Sequence, residues 1–416
     1  MQSIVRIIAL VLVLTTIFSF VGCRKKEETG NTDDLRGSYN ITVWVSESVG
    51  AAELVKAQID RFEEANPGIV INAVVEGVNG GDVASKIVND VATAPDLYTF
   101  SQDQLARLVQ AAALAPLGER AGEKVSSAND AGAVKAARMG DQLYAYPLTS
   151  DNGYYMYYDK SIISEDEAED MTAIIAACER NKRYFRFALE DGWYTASFFF
   201  ATGCHSMWEM DAEGKFVSVD DDFNSEAGLV SMKGMMELAK SPYYSNNAEI
   251  FTNAGAIITG TWNSAKAESY FGANMGVTDL PSFTVDGKSY HLGSYTGNKL
   301  LGVKPQTDGK RQAVLSLLAE FLTGETCQSE NFEKMGWGPS NKAVQTTDAV
   351  QADPHLSALA KQGEYGEPQG QVPGSWWDIA KVLGAEAKAA KSEEDLKTAL
   401  KEYEAALKAS LGSAVG

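Results

Sequence analysis

The feature that most constrains the fold is an alternation of strand and helix patterns between residues 41 and 112. Three apolar runs typical of strands are each followed by apolar residues at helical spacing. The predicted strands are Ile41–Val45, Ile69–Val75 and Leu97–Phe100, and the helices carry Leu54, Val55, Ile59 and Phe62, then Val83, Ile87 and Val91, then Leu105, Leu108 and Ala112. This order predicts an open, mostly parallel α/β sheet. Ligands bind at the carboxyl ends of such strands, so loops 46–50, 76–81 and 101–103 are expected to lie together.

A second feature is a pair of tyrosine-rich runs, Leu143–Leu148 and Tyr154–Tyr158, on either side of the polar residues Thr149–Gly153. Each run is typical of a strand. One interpretation is a hairpin within a single sheet. The other is that the chain leaves one lobe here and enters a second, with Asp151 and Asn152 facing the cleft between them. A length of 416 residues is sufficient for two lobes.

The N-terminus is predicted to be an export signal, residues 1–22, because Arg6 precedes an uncharged run, Ile7–Phe20. The following Ser19–Cys23 resembles the bacterial lipobox, in which the cysteine is lipidated, although Phe20 stands where leucine is usual. Lipidation of Cys23 would anchor the chain to a membrane; an uncleaved anchor or ordinary secretion is the alternative. Residues 23–37 are then a flexible tether, and the remainder is extracellular or periplasmic.

Composition excludes some functions. Asp and Glu outnumber Lys and Arg by 56 to 36, a net charge of −20, so nucleic-acid binding is not expected. Cys178 and Cys204 either form a disulfide or remain thiols, and Cys327 is predicted to be a buried free thiol. The three histidines are widely separated and no Cys-x-x-Cys motif is present, so no metal site is predicted.

Several motifs point to one family. They are Trp44, Phe62–Gly68, Ala94–Phe100, Asp141–Leu148, Tyr157–Lys160, Gly260–Trp262, Gly276–Pro281 and the pair Trp376 and Trp377. Their order and spacing resemble the extracellular solute-binding proteins of carbohydrate ABC importers, the maltose-binding-protein-like group. The resemblance extends from about Tyr39 to Leu411.

The resemblance implies a two-lobe α/β fold of the type II periplasmic-binding-protein class, with a hinge and C-terminal helices. The lobes would be discontinuous, residues 38–149 with 293–348 and residues 150–292 with 349–416. Leu143–Lys160 then becomes the first crossing between lobes. The implied function is a monomeric substrate-binding lipoprotein, without a cofactor, that captures a sugar or oligosaccharide by hinge closure and delivers it to a membrane permease.

The candidate ligand-binding residues follow from the chemistry of sugars together with this resemblance. Aromatic rings cover the C–H face of a pyranose, and carboxylates and amides bond its hydroxyls. The resemblance assigns the following ligand-binding residues: Trp193, Trp262, Trp377 and Asp191 in the second lobe, Glu47, Ser48, Phe100, Gln102 and Asp103 in the first, and Asp151 after the first crossing. Weaker candidates are Glu76, Ser294, Tyr295 and Asn298.

Two positions depart from the family pattern. Lys381, one turn after Trp377, stands where the best-known member has arginine, and the Asp–Lys pair of the first strand–helix loop is missing. For Phe100, Trp193 and Trp262, ordinary core packing is the alternative to a ligand contact.

Other functions were weighed against sugar capture. A glycoside hydrolase would need two carboxylates that flank a bond, and Glu190 with Asp191, or Asp103 with Asp151, are the available pairs. No nucleophile motif is present in the sequence, so no enzyme activity is predicted. The same fold could instead bind a polyamine, a compatible solute or an anion, and a sensory role would replace transport.

Overall fold

A computed structural model describes residues 32–211 and 215–411 of the chain. The predicted signal peptide and Cys23 lie outside the described residues. The predicted tether extends to residue 37, but Thr32–Leu35 already forms a 3-10 turn, and the first strand starts at Gly37. The hydroxyl of Tyr39 donates to the carbonyl of Leu35 at 2.8 Å and so ties this turn to the strand. None of the described helices is both long and apolar enough for a membrane crossing.

The first part of the chain builds one lobe. Its elements are β1 (Gly37–Ser46), α1 (Ala51–Ala65), β2 (Ile69–Val78), α2 (Val83–Ile87), β3 (Leu97–Ser101), α3 (Leu105–Gln110), α4 (Glu119–Ala128), α5 (Ala131–Ala136), β4 (Arg138–Met139), β5 (Gln142–Leu143) and β6 (Ala145–Thr149).

The middle of the chain builds the second lobe. Its elements are β7 (Tyr155–Asp159), α6 (Met171–Asn181), β8 (Tyr184–Arg186), α7 (Gly192–Ala201), β9 (Ser206–Met210), β10 (Phe216–Asp221), α8 (Glu226–Ala239), β11 (Tyr244–Ser245), β12 (Ala254–Thr259), α9 (Ser264–Phe271), β13 (Met275–Thr278), β14 (Ser282–Val285) and β15 (Lys288–His291).

The chain then returns to the first lobe and ends on the second. The remaining elements are β16 (Ser294–Thr296), β17 (Lys299–Val303), α10 (Gly309–Leu322), α11 (Glu325–Met335), α12 (Lys342–Gln345), α13 (Asp348–Gln351), α14 (Pro354–Gly363), β18 (Gly366–Pro368), α15 (Gly374–Ala389) and α16 (Glu393–Ser410).

The first-lobe sheet has the order β2-β1-β3-β17-β6. Strands β2, β1 and β3 are parallel, as their alternation with helices predicts. Strand β17 pairs antiparallel with both β3 and β6, because it returns from the second lobe and enters at the edge where the other strands end. The sheet is therefore mostly parallel, as predicted, with β17 as its one antiparallel strand.

The second-lobe sheet has the order β11-β8-β12-β7-β13. Strand β8 is parallel to β11 and β12, whereas β7 runs antiparallel to β12 and β13. Strands β6 and β7 thus belong to different sheets, and the hairpin interpretation of Leu143–Lys160 is wrong. The chain crosses between lobes at residues 150–154, as the alternative interpretation required.

Each lobe has its own hydrophobic core. The first-lobe core includes Ile41, Phe62 and Leu318, and the second-lobe core includes Phe198 and Trp376. The C-terminal helices α15 and α16 pack on α7 and α8 of the second lobe. Helix α16 begins with the capping box predicted at Ser392, whose hydroxyl accepts from the N–H of Asp395.

The cysteines resolve the question that the sequence left open. Cys178, Cys204 and Cys327 are all free and buried, so the described residues contain no disulfide between the first two. Burial raises the pKa of the Cys178 thiol to about 12 and that of Cys327 to about 11, which keeps these groups protonated at neutral pH. The buried free thiol predicted at Cys327 is confirmed.

Candidate functional site

The loops that follow β1, β2 and β3 lie together at one edge of the first sheet, as predicted. The amide of Asn79 donates to the carboxylate of Glu47 at 2.9 Å, and the N–H of Ser101 donates to the carbonyl of Gly80 at 3.4 Å. Glu47 is exposed and Ser48 is half-buried beside it. This edge therefore presents a carboxylate and a hydroxyl to any ligand that lies between the lobes.

Asp103 has a perturbed carboxylate at the same edge. Its side chain is 5% exposed, and Oδ1 has no hydrogen-bond partner within the described structure. Burial raises the pKa of the carboxyl to about 7, an effect only partly offset by a backbone N–H, by the Arg107 guanidinium and by Trp377 of the second lobe. An unpartnered carboxylate oxygen in a desolvated site is a strong acceptor for a ligand hydroxyl.

An aromatic cluster lies on the second-lobe side of Asp103, and it consists of Tyr154, Trp193, Tyr295, Trp376 and Trp377. Trp193 stacks on Tyr295 with ring centroids 4.9 Å apart and lies 6.0 Å from Trp377. Trp376 is fully buried, whereas Trp193 and Trp377 are half-buried. Adjacent helical residues point about 100° apart, so only one of the two neighbouring tryptophans reaches the interlobe side.

Two glycines set the spacing of the helices that carry this cluster. A Cβ on Gly192, at the start of α7, would lie 2.7 Å from the carbonyl oxygen of Trp377. A Cβ on Gly384, in α15, would lie 1.6 Å from the carbonyl oxygen of Leu189. Helices α7 and α15 therefore approach more closely than any other residue allows, and the approach brings their tryptophans together.

Asp191 is the N-cap of α7. Its Oδ1 accepts from the N–H of Trp193 at 3.0 Å, and the side chain is exposed. This contact fixes the first turn of the helix that carries Trp193.

Trp262 follows β12 and is half-buried. Its ring lies against Gly260, where a Cβ would be 2.1 Å from a ring carbon. The ammonium of Lys299, from the first-lobe strand β17, lies 5.3 Å from the ring centroid. Trp262 is thus a second aromatic surface of the interlobe region, and a first-lobe cation already lies over it.

Asp151 joins three segments at the hinge. Its side chain is 1% exposed, and its Oδ2 accepts from the hydroxyl of Thr261 and from the N–H of Gly338, both at 2.8 Å. Oδ1 has no partner among the described residues. Asp151 therefore positions Thr261, the residue before Trp262. In this conformation its hydrogen bonds orient neighbouring segments of the protein.

Gln102 is also occupied within the protein. Its Nε2 donates to the carbonyl of Gln369 at 2.5 Å, and its Oε1 accepts from the backbone and side-chain N–H groups of Asn298 at 2.8 and 2.7 Å. Asn152 donates to the side chain of Gln369 at 3.0 Å. Gln102 and Asn298 thus connect crossing segments, and both ends of the Gln102 amide are used.

Three further candidates have ordinary structural roles in this conformation. Phe100 is 0% exposed in the first-lobe core, because β3 is a central strand buried on both faces. Ser294 is also fully buried. Glu76 is exposed and accepts from the indole N–H of Trp44 at 3.2 Å. For Phe100, the core-packing alternative matches its position.

Sequence reasoning missed Lys299, Gln369 and Gln371. Gln371 accepts from the N–H of Ala106 at 3.0 Å and donates to the carbonyl of Gln102 at 2.7 Å, so it ties the segment before α15 to α3. Lys299 carries one available signal, because it is the only charged residue in the otherwise apolar strand Lys299–Val303. The glutamines lie in a loop with no periodic pattern.

Among the described residues, no group of three or more His, Cys, Asp or Glu side chains is placed to hold a metal ion. What the structure brings together is an aromatic cluster, a second tryptophan, buried carboxylates and hydroxyls between two lobes. This combination suits a neutral ligand with apolar faces and many hydroxyls.

Comparison with known proteins agrees with this geometry. The family described as bacterial extracellular solute-binding protein matches residues 57–358. The chain belongs to this family. As a solute-binding protein, it shares its fold class with the maltose-binding-protein-like proteins, and the two-lobe type II architecture predicted from the sequence is confirmed.

Individual relatives of this solute-binding protein are distant in sequence. A maltotriose-binding protein of Pyrococcus abyssi (strain GE5 / Orsay) is 21% identical over 380 residues, which cover 88% of this chain and 82% of that protein. A structure solved with acarbose is 26% identical, with a TM-score of 0.78, over 90% of this chain and all of that chain. Maltodextrin-binding protein MalE1 of L. casei BL23, without ligand, is 21% identical, with a TM-score of 0.74, over 88% of this chain and 98% of that chain. The Pyrococcus and L. casei relatives are binding proteins by name.

Proposed function

We propose that this solute-binding protein captures a neutral glucose oligosaccharide, of the maltodextrin class, between its two lobes and delivers it to an ABC permease. The observation that carries the proposal is the arrangement of Trp193, Trp262 and Trp377 on the second-lobe side, opposite the desolvated carboxylate of Asp103. The relatives bind maltotriose, maltodextrins or acarbose by their names, and this supports the same ligand class.

The proposed mechanism is population shift between an open and a closed arrangement of the lobes. The tryptophans bury the C–H faces of the sugar rings, and Asp103, Asp191, Glu47 and Ser48 bond its hydroxyls. Each lobe supplies only half of these groups, so the ligand binds the closed form more tightly and shifts the population toward it. Asp151, Gln102 and Phe100 support this site from the hinge and the core.

Several features of the chain complete the proposal. We place the lobe boundaries near residues 149, 292 and 348; in support of the first, strands β6 and β7 on either side of it belong to different sheets. Lipidation at Cys23 would hold the monomeric receptor beside its permease, on the extracellular or periplasmic side. Catalysis is not part of the proposed function, because capture and release require no bond to be broken.

The proposal is tested by ligand-dependent melting of the purified soluble chain. Maltose, maltotriose and maltotetraose are compared with putrescine and glycine betaine. Each compound is added in the same molar excess over the protein. We expect the glucans alone to raise the melting temperature, since a ligand that binds only the folded state stabilises it by about 2.7 kcal/mol at a hundred times its Kd. A higher melting temperature with putrescine or glycine betaine, and none with the glucans, would replace the proposal with a polyamine or compatible-solute receptor.

The same samples test for turnover. Incubation with maltotetraose should release no additional reducing ends over hours. Accumulation of reducing sugar in proportion to protein concentration would point instead to a glycoside hydrolase.

A further inference from the structure

Lys299 holds a half-buried ammonium group between the lobes. Its Nζ lies 5.3 Å from the centroid of the Trp262 ring. In the part of the chain that the structure describes, this ammonium forms no hydrogen bond and no ion pair. The ammonium is therefore free to take a ligand oxygen as its partner.

The backbone explains why Lys299 points across the cleft. Strand β17 pairs with β6 through Lys299 and Thr149, and the register shifts between Lys299 and Leu300. A bulge of this kind re-aims the side chain beside it. The hydroxyl of Thr149, the register partner of Lys299, is buried and has no hydrogen-bond partner within the described structure.

Two neighbouring segments supply no free cation to this place. The loop after β1 reads Ser46–Gly50 and contains no lysine or arginine. Lys381, the other lysine near the tryptophans, is exposed and forms an ion pair with Asp378. Because Gly260 lies against the Trp262 ring and the ammonium lies over it, the ammonium occupies the position where a sugar ring would stack on Trp262.

We propose that Lys299 is a specificity-determining residue that donates charge-assisted hydrogen bonds to the hydroxyls of the sugar unit stacked on Trp262. This inference rests on the proposed function. On ligand entry the ammonium leaves the indole face, a weak contact, and gains oxygen acceptors in a desolvated site. The partner oxygens belong to neutral hydroxyls, because the ligand of the proposed function is a neutral glucan.

The test compares two lysines that both lie over aromatic rings. Lys288 lies 4.7 Å from the centroid of Tyr290 on the exposed hairpin β14–β15, so Lys288→Met removes the same contact outside the cleft. Calorimetric titration with maltotriose is expected to show a 10- to 100-fold weaker Kd for Lys299→Met and a change below twofold for Lys288→Met. Both variants should melt close to the wild type without ligand.

A set of monodeoxy maltosides then locates the contact. The wild type should bind one of these deoxy sugars about tenfold more weakly than the parent sugar, because one hydroxyl that Lys299 contacts is missing. Lys299→Met should bind that deoxy sugar and the parent sugar equally well. Unchanged or tighter maltotriose binding by Lys299→Met, undiminished discrimination at every position, or a tenfold wild-type preference for maltobionic acid over maltose would each overturn the inference. If the wild type binds no glucan at all, the proposed function itself fails, and the titration distinguishes that outcome from the others.

Discussion

Trp376 and Trp377 show how two identical neighbouring residues acquire different roles. Trp376 is fully buried in the second-lobe core, and Trp377 reaches Asp103 across the interlobe boundary. Adjacent helical residues point about 100° apart, so only one of the two can reach the cleft, and the sequence resemblance favoured the second. What the sequence could not show was the desolvation of Asp103, because that depends on a lobe distant along the chain.

We expect the two tryptophans to separate stability from binding. Trp376→Ala should lower the free energy of unfolding by about 3–5 kcal/mol, since it leaves a large cavity in the core. Trp377→Ala should cost about 1–2 kcal/mol but weaken glucan binding severely, because it removes exposed stacking area. Denaturant unfolding and calorimetric titration measure the two effects, and equal stability losses for both variants would contradict these roles.

The carboxyl of Asp103 is expected to make the stability of the protein depend on pH. Its carboxyl has a pKa of about 7 in the folded state, against about 4 when unfolded, so the folded chain retains a proton that the unfolded chain has lost. The contribution of Asp103 to the free energy of unfolding therefore falls as the pH rises from about 4 to about 7, by up to about 1.4 kcal/mol per pH unit. Above that range this contribution is constant. Asp103→Asn should remove this slope. Parallel stability profiles for the variant and the wild type would show that the carboxyl is not desolvated.

At the scale of elements, the strand and helix pattern of residues 41–112 was predictable, because each element has a clear apolar period. The antiparallel entry of β17 was not, since the direction of a returning strand depends on where the crossing lies. The hinge network of Gln102, Asn298 and Gln369 was also hidden, because amide side chains have no periodic signal and their partners are 196 and 267 residues away.

The contact between α7 and α15 yields a prediction for an element. Gly384→Ala places a methyl group where the carbonyl oxygen of Leu189 now lies, so α15 must move away from the segment that leads into α7. We expect a loss of at least 1–3 kcal/mol in unfolding free energy, typical of overpacking, together with weaker glucan binding as Trp193 and Trp377 move apart. Gly363→Ala is the control, because a Cβ there meets nothing within 4 Å. Wild-type binding by Gly384→Ala would show that the helix spacing does not set the site.

At the scale of the whole molecule, function follows from the crossings that divide the chain between two sheets. Residues distant in sequence, Asp103 and Trp377 or Lys299 and Trp262, meet only because the lobes face each other. A ligand that contacts both lobes stabilises their closed arrangement, whereas one that contacts a single lobe has no such effect. The central claim is therefore capture of one oligosaccharide by both lobes together.

Isothermal titration of the soluble wild-type chain with maltotriose tests that claim most directly. We expect one binding site per chain with a Kd at or below about 1 μM, equivalent to about −8 kcal/mol. Trp377→Ala in the second lobe and Asp103→Asn in the first should each weaken that binding. Absence of heat at millimolar maltotriose, or affinity that survives both substitutions, would contradict capture between the lobes.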